Sequence, residues 1–186
     1  HASIPVINGL SDSFHPCQIL ADFMTIKEKK KTLKGLKIAW IGDGNNVCNS
    51  MIYGAALSGA KMSIATLKGF EPDKSTVKVS QNLTDIELTT DPLKAAKNAD
   101  VIVTDTYSSI HNNDSKRIKK FIPKYQVNDK IMDLAKKNAI FLHCLPAKRD
   151  QEVTSSVIDG PQSVVWDEAE NRLHTQKALL CALLHA

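Results

Sequence analysis

Short apolar runs alternate along the chain with segments whose apolar positions recur at helical spacing. LKIAWI, Leu36 to Ile41, is apolar on both faces and stops at Gly42, the pattern of a buried strand. NNVCNSMIYGAALSGA follows it with Val47, Met51, Ala55 and Leu57 at helical intervals, so a strand, a tight turn and a helix are expected in succession. KMSIATL (61–67) repeats the strand pattern, and IELTT (86–90) gives a short one. DPLKAAKNAD (91–100) opens a helix, with Asp91 at the N-cap and Pro92 at the first helical position. Strand VIVTD (101–105), helix VNDKIMDLAKKN (127–138), strand AIFLHC (139–144), short helix VTSSVI (153–158), strand SVVW (163–166) and a terminal helix over 171–186 complete the series. Strands apolar on both faces, alternating with helices, imply a parallel sheet covered on both sides. The expected fold class is α/β, a doubly wound, Rossmann-like parallel sheet with helices on both faces.

That architecture places ligands outside the carboxyl ends of the strands. Following each strand to its tip gives Gly42-Asp43-Gly44-Asn45-Asn46, Asp105-Thr106-Tyr107-Ser108-Ser109, His143-Cys144-Leu145 and Asp167 to Arg172. His143 and Cys144 are therefore expected to face one crevice with Asp105, Asn46 and Arg172. Taken locally, a cysteine beside a histidine is a nucleophile with its base, half of a metal site, or two small groups packed where a strand stops.

Composition narrows the class. The chain has 186 residues, 42% of them hydrophobic and 24% charged, enough to bury one good-sized core. Cys17, Cys48, Cys144 and Cys181 are scattered without a C-x-x-C pair, which argues against a zinc ribbon or a disulfide scaffold and for the cytoplasm. No apolar run approaches the ~20 residues of a membrane span, so no membrane partner is expected. The net charge of +4 comes largely from KEKKKTLKGLK (27–37) and SKRIKK (115–120). Neither run interleaves the aromatics of a stacking platform, so both read as solvated helix faces and linkers, with no nucleic-acid partner. The start, HASIPVINGL, has no methionine and lies inside an apparent strand, so the chain is expected to be a piece of something longer.

GDGNNV, between a strand and a helix, invites comparison with a dinucleotide-binding turn. The third glycine of that fingerprint would fall at Val47, and the next strand is followed by Lys68 where an acidic ribose ligand would stand. No nicotinamide or flavin cofactor is expected, and no metal. The turn instead offers a helix N-terminus with free N–H groups and two side-chain amides, suited to a carboxylate.

HPCQILAD (15–22), IGDGNN (41–46), DTYSS (105–109), HCLP (143–146) and DEAENRLHTQKALL (167–180), in this order, resemble the ornithine carbamoyltransferases of the aspartate/ornithine carbamoyltransferase family. The resemblance runs over essentially the whole chain but reaches only the family's second domain and the helix leading into it; the first domain's Ser-Thr-Arg-Thr phosphate loop is not in this sequence. It implies that residues 1–34 are the end of the carbamoyl phosphate domain and the crossover helix. Residues 35–170 would then be the ornithine-binding domain, and 171–186 a helix packing back toward the first. It further implies carbamoyl transfer from carbamoyl phosphate to the δ-amine of L-ornithine, in arginine biosynthesis, by a full-length homotrimer needing no cofactor.

By the same resemblance, His15, Pro16, Cys17, Gln18, Cys144, Leu145 and Arg172 would bind carbamoyl phosphate. Asn46, Asp105, Ser109 and Ile110 would hold ornithine, its carboxylate on Asn46 and the Ile110 backbone and its α-amino group on Asp105 and Ser109. Cys144, Asp105 and Arg172 would be the catalytic set, with Cys144 as proton acceptor, a thiolate gaining from a nearby cation. The family's Ser-Met-Gly loop reads Ser109-Ile110-His111 here, which removes a glycine's freedom from the substrate loop. An aspartate enzyme would carry proline in place of Cys144, and a putrescine enzyme would lack the Ser109 contact. A noncatalytic amino-acid-binding module and an α/β oxidoreductase domain are the readings from other classes.

Overall fold

Pleat alternation sends Ile38 and Trp40 to one side of the sheet and Ala39 and Ile41 to the other, and all four are 0% exposed. They belong to β1 (Lys37–Ile41) of a computed structural model that describes residues 1–107 and 115–184. With β2 (Lys61–Ala65), β3 (Ile86–Thr89), β4 (Val101–Thr104) and β5 (Ile140–His143), β1 forms a five-stranded sheet in the order β3-β2-β1-β4-β5. Every pairing is parallel, with Trp40 beside Ile64 and Val103, and Thr104 beside His143. The strand order reverses between β1 and β4, so the crevice of this α/β fold lies at their tips.

One face is covered by α1 (Pro16–Lys30) and α2 (Asn46–Ser58), where Phe23, Met51 and Ile52 pack on Trp40 and Ile64. The other is covered by α4 (Pro92–Ala96), α5 (Ser115–Phe121), α6 (Asp129–Leu134) and α7 (Ser155–Ile158), around Phe121, Tyr125 and Phe141. Helix α3 (Lys74–Ser80) was not apparent in the hydrophobic pattern, and α8 (Val165–Leu184) packs along α1. Among the described residues no helix is long and apolar enough to cross a membrane.

Three expectations need correction. SVVW is not a strand: Phe141 and Ser163 form one isolated bridge, and helix α8 starts at Val165. Three apolar residues in a row cannot distinguish a strand from a buried first helical turn, and Asp167 and Glu168 suit that turn because acidic groups favour a helix N-terminus. Arg172 therefore stands on a helix and not at a strand tip. Leu57 does not join the core face of α2 but is 83% exposed. Residues 1–14 contain neither helix nor strand.

Gly54 of α2 lies directly against α1. A β-carbon there would lie 2.6 Å from Phe23 Cε2 and 2.8 Å from Ile19 Cγ2. Overpacking costs about 1–3 kcal/mol, against about 1 kcal/mol gained in helix propensity. Gly54→Ala is thus expected to lower the melting temperature of the full-length protein; an unchanged value would mean that the Phe23 ring swings aside at no cost.

Candidate active site

Asp105, at the end of β4, is the hub of the crevice. Only 7% exposed, it accepts hydrogen bonds from three directions. Its own neighbour Thr106 N–H donates at 2.7 Å, Asn45 Nδ2 at 2.6 Å, and Cys144 Sγ at 3.1 Å. The β1–α2 turn, the β4 tip and the β5 tip are thereby tied together.

The turn is built by two of its residues. Gly44 lies against the next loop so closely that a β-carbon would be 2.2 Å from Pro72 N, and its N–H donates to Phe70 O at 2.9 Å, so no side chain fits. Asn45 caps α2, its Oδ1 accepting from Val47 N and Cys48 N at 3.0 and 3.1 Å. Those first N–H groups are consequently not free for a ligand carboxylate, contrary to the reading of the turn from sequence. With Oδ1 spent on the cap, Nδ2 is left for Asp105. Asn46 points elsewhere, its Nδ2 donating to Ser11 O at 2.8 Å. Asp43 pairs with Arg117 of α5, and burial raises its pKa despite that guanidinium.

His143 and Cys144 separate at the pleat. The His143 side chain is 0% exposed; Nε2 lies 3.2 Å from Glu152 Oε1, and Nδ1 accepts the Leu145 N–H at 3.0 Å. Cys144 turns to the other face, so no cysteine–histidine hydrogen bond forms and the nucleophile-and-base reading fails on geometry. Asp105, His143 and Cys144 do bring one potential ligand atom each within 4.8 Å of one another, but those atoms are engaged with each other and with the backbone. Burial, then the Asp105 and Glu168 charges, push the Cys144 thiol well above its ordinary pKa. The expected thiolate is thus a thiol that donates to Asp105.

A second group gathers where α1 begins. Gln18 is 1% exposed, and its Oε1 accepts from Arg172 Nη1 at 2.6 Å. Arg172 Nε is held by Gln176 Oε1 at 2.8 Å. His15 precedes Pro16, the first residue of α1, and its backbone N–H donates to Ser50 Oγ at 2.8 Å. Burial and the Arg172 charge lower its pKa, and its buried Nδ1 has no hydrogen-bond partner. Pro16 is exposed, whereas Cys17 is buried with its thiol directed at Asn8 O, 3.5 Å away. Leu145 is half-buried beside Cys144, with a positive φ of 57°.

Of the residues singled out from sequence, the structure joins Asp105 to Cys144 and Gln18 to Arg172, with His15 and Leu145 beside them. Asn46 and Cys17 make their side-chain bonds away from these groups, and Ser109 and Ile110 lie outside the described residues. Sequence reasoning passed over Asn45, whose signal was its N-cap position, and the acids Asp22 and Glu168, both 1% exposed.

Residues 34–183 match the family described as aspartate/ornithine carbamoyltransferase, Asp/Orn binding domain, and residues 1–28 match its carbamoyl-P binding domain. The chain is similar to the ornithine carbamoyltransferase of Cenarchaeum symbiosum, 64% identical over 182 residues, which span 98% of this chain and 60% of that protein. It is 52% identical to that of Methanococcus aeolicus, over 96% of this chain and 62% of the relative. The solved ornithine carbamoyltransferase of Pyrococcus furiosus superposes with a TM-score of 0.92 at 50% identity, over 98% of this chain and 60% of that one. The chain therefore spans about three fifths of the length of these relatives. With the family match running from residue 34 to residue 183, the chain belongs to the aspartate/ornithine carbamoyltransferase family.

Proposed function

We propose that these residues form the amine-binding side of an ornithine carbamoyltransferase, which transfers the carbamoyl group of carbamoyl phosphate to the δ-amine of L-ornithine to give L-citrulline and phosphate. The observation that carries the proposal is the placement of Asp105 and Cys144, hydrogen-bonded at the switch point, in one crevice with Gln18 and Arg172. Asp105 is a buried acceptor suited to the α-ammonium group. Gln18, Arg172 and the unpartnered His15 Nδ1 are suited to the carbamoyl and phosphate oxygens. In this reading Ser109 and Ile110 complete the ornithine site, Asn46 turns from Ser11 to the ornithine carboxylate, and Pro16 and Cys17 contribute through their backbone.

The step needs a neutral amine. Its nitrogen lone pair forms the new bond to the carbamoyl carbon, the carbon–oxygen bond to phosphate breaks, and the nitrogen sheds one proton. Cys144 lies at the junction of the two half-sites. Its thiol accepts that proton only after passing its own to Asp105 Oδ1, 3.1 Å away. Positioning and electrostatics supply the rest. We place the enzyme in the cytoplasm, where four free thiols are stable, as a homotrimer in its full-length form.

The test is citrulline formation by the full-length protein with ornithine, aspartate and putrescine offered in parallel. Ornithine should be used far better than either. Cys144→Ala should lower kcat by about tenfold or more while leaving the fold and carbamoyl phosphate affinity intact. Equal use of putrescine, or unchanged turnover of the variant at every pH, would refute the assignment.

A further inference from the structure

Where α1 crosses α8, two carboxyl groups are buried side by side. Asp22 and Glu168 are each 1% exposed. Gln18 Nε2 donates to both, to Asp22 Oδ1 at 2.8 Å and to Glu168 Oε1 at 3.1 Å. The backbone N–H of His143, the last residue of β5, donates to Glu168 Oε2 at 2.9 Å. One oxygen remains: Asp22 Oδ2 is buried and meets no donor.

The charged and titratable groups that face the pair are few. Arg172 of α8 reaches it through Gln18; Asp105 of β4 and the Cys144 thiol after β5 lie beyond it; His15 stands at the start of α1. The His143 imidazole is turned away, toward Glu152. A single guanidinium, itself bonded to an amide, cannot hold two adjacent buried carboxylates in their charged form.

We infer that Asp22 and Glu168 share one proton at neutral pH, the Glu168 hydroxyl donating to Asp22 Oδ2, and that this acid pair is the positioning device for Gln18 and Arg172. The geometry gives the second half directly. Because both acids accept from the same Gln18 nitrogen, the amide has one orientation, and its oxygen is presented to Arg172 Nη1. Through His143 N–H the same pair anchors the tip that carries Cys144. Burial acts in the same direction, pushing Asp22 up to about 6 and Glu168 well above the usual carboxylate range. A raised carboxyl pKa in the folded state means stability that is full below the unfolded value and lost as pH rises through the folded one. Asp22 completes its share near pH 6, and the further loss above that belongs to Glu168.

The positioning half rests on the carbamoyltransferase reading; the shared proton does not. The experiment takes the full-length protein and compares it with Glu168→Gln and Glu168→Leu. At pH 7 the infrared spectrum of the native protein should contain a buried carboxylic-acid carbonyl band that Glu168→Gln removes. The melting temperature of the native protein should fall above pH 6, and Glu168→Gln should flatten that fall. Glutamine at this position can donate to Asp22 Oδ2 and accept from His143 N–H but gives up the bond from Gln18 Nε2, so kcat/KM should fall by no more than about threefold, while Glu168→Leu, which makes none of these bonds, should lose about tenfold or more. Absence of the band, an unchanged melting profile, a Glu168→Gln protein that does not fold, or equal losses in the two variants would each overturn the inference. A native protein that shows the band and the pH-dependent melting but makes no citrulline would support the shared proton and overturn the functional reading instead.

Discussion

Asp105→Ala in the full-length protein is expected to lower kcat/KM for ornithine by roughly two to four orders of magnitude, the equivalent of about 3–5 kcal/mol for removing one partner of a buried ion pair. Asp105 gathers Asn45, Thr106 N–H and Cys144, so its loss acts twice. On the proposed reading the ammonium of ornithine loses its acceptor, which raises KM. Cys144 loses the acceptor for its thiol proton, which lowers kcat. Asp105→Asn separates the two effects. It keeps an oxygen for the thiol but not the charge, and a charge-assisted bond contributes about 1.5–3 kcal/mol, so the loss should be intermediate and weighted toward KM. Steady-state kinetics over a range of ornithine concentrations checks this. Carbamoyl phosphate affinity, measured by equilibrium binding, should change little in either variant, and a large loss there would move Asp105 to the other half-site.

The sheet was legible because most of its strands are apolar on both faces, so five of the seven expected strands and the crevice at their tips followed from pattern alone. The start of α8 was not, since Val164 and Val165 look the same in a strand and in a helical turn that packs on a sheet. That error hid Glu168. Read as one of six residues after a strand tip it carried no role of its own; once the helix begins at Val165, it falls in the first turn, against α1. The two asparagines of GDGNN posed a different problem. Sequence cannot say which of two adjacent amides faces Asp105, and the helix cap decides it, spending Asn45 Oδ1 on the backbone and leaving its nitrogen for the carboxyl group. His143 and Cys144 could have been separated in advance, because neighbours on a strand point to opposite faces. The nucleophile-and-base alternative, left open in the sequence, could have been set aside on that ground. The roles of His15, Gln18 and Arg172 came from resemblance alone; their convergence needed the crossing of α1 and α8, a long-range contact that no local pattern encodes.

The 186 residues alone are expected to form no citrulline and to self-associate. Carbamoyl phosphate carries a phosphate that must be neutralised as it leaves. Among the described residues that meet Gln18 and Cys144, only Arg172 is cationic, His15 is held toward its neutral form, and Asp105 and the Asp22–Glu168 pair are acidic. One guanidinium in an acidic setting is a weak phosphate site, so tight binding of carbamoyl phosphate would need further cations. The association has a separate cause. Helices α1 and α8 pair with each other, yet an apolar groove of about 620 Å³, lined by Val6, Phe14, Leu20, Leu57, Leu179 and Leu183 among others, stays open beside them. Leu57 and Leu184 are 83% and 75% exposed. An open apolar surface of this kind marks an interface or an association hazard. Size-exclusion chromatography with light scattering should therefore show species larger than 20.4 kDa, and the full-length protein should regain both activity and a defined oligomer. Turnover by the isolated chain at the full-length rate would mean that phosphate recognition resides within these 186 residues, and would overturn the argument from charge.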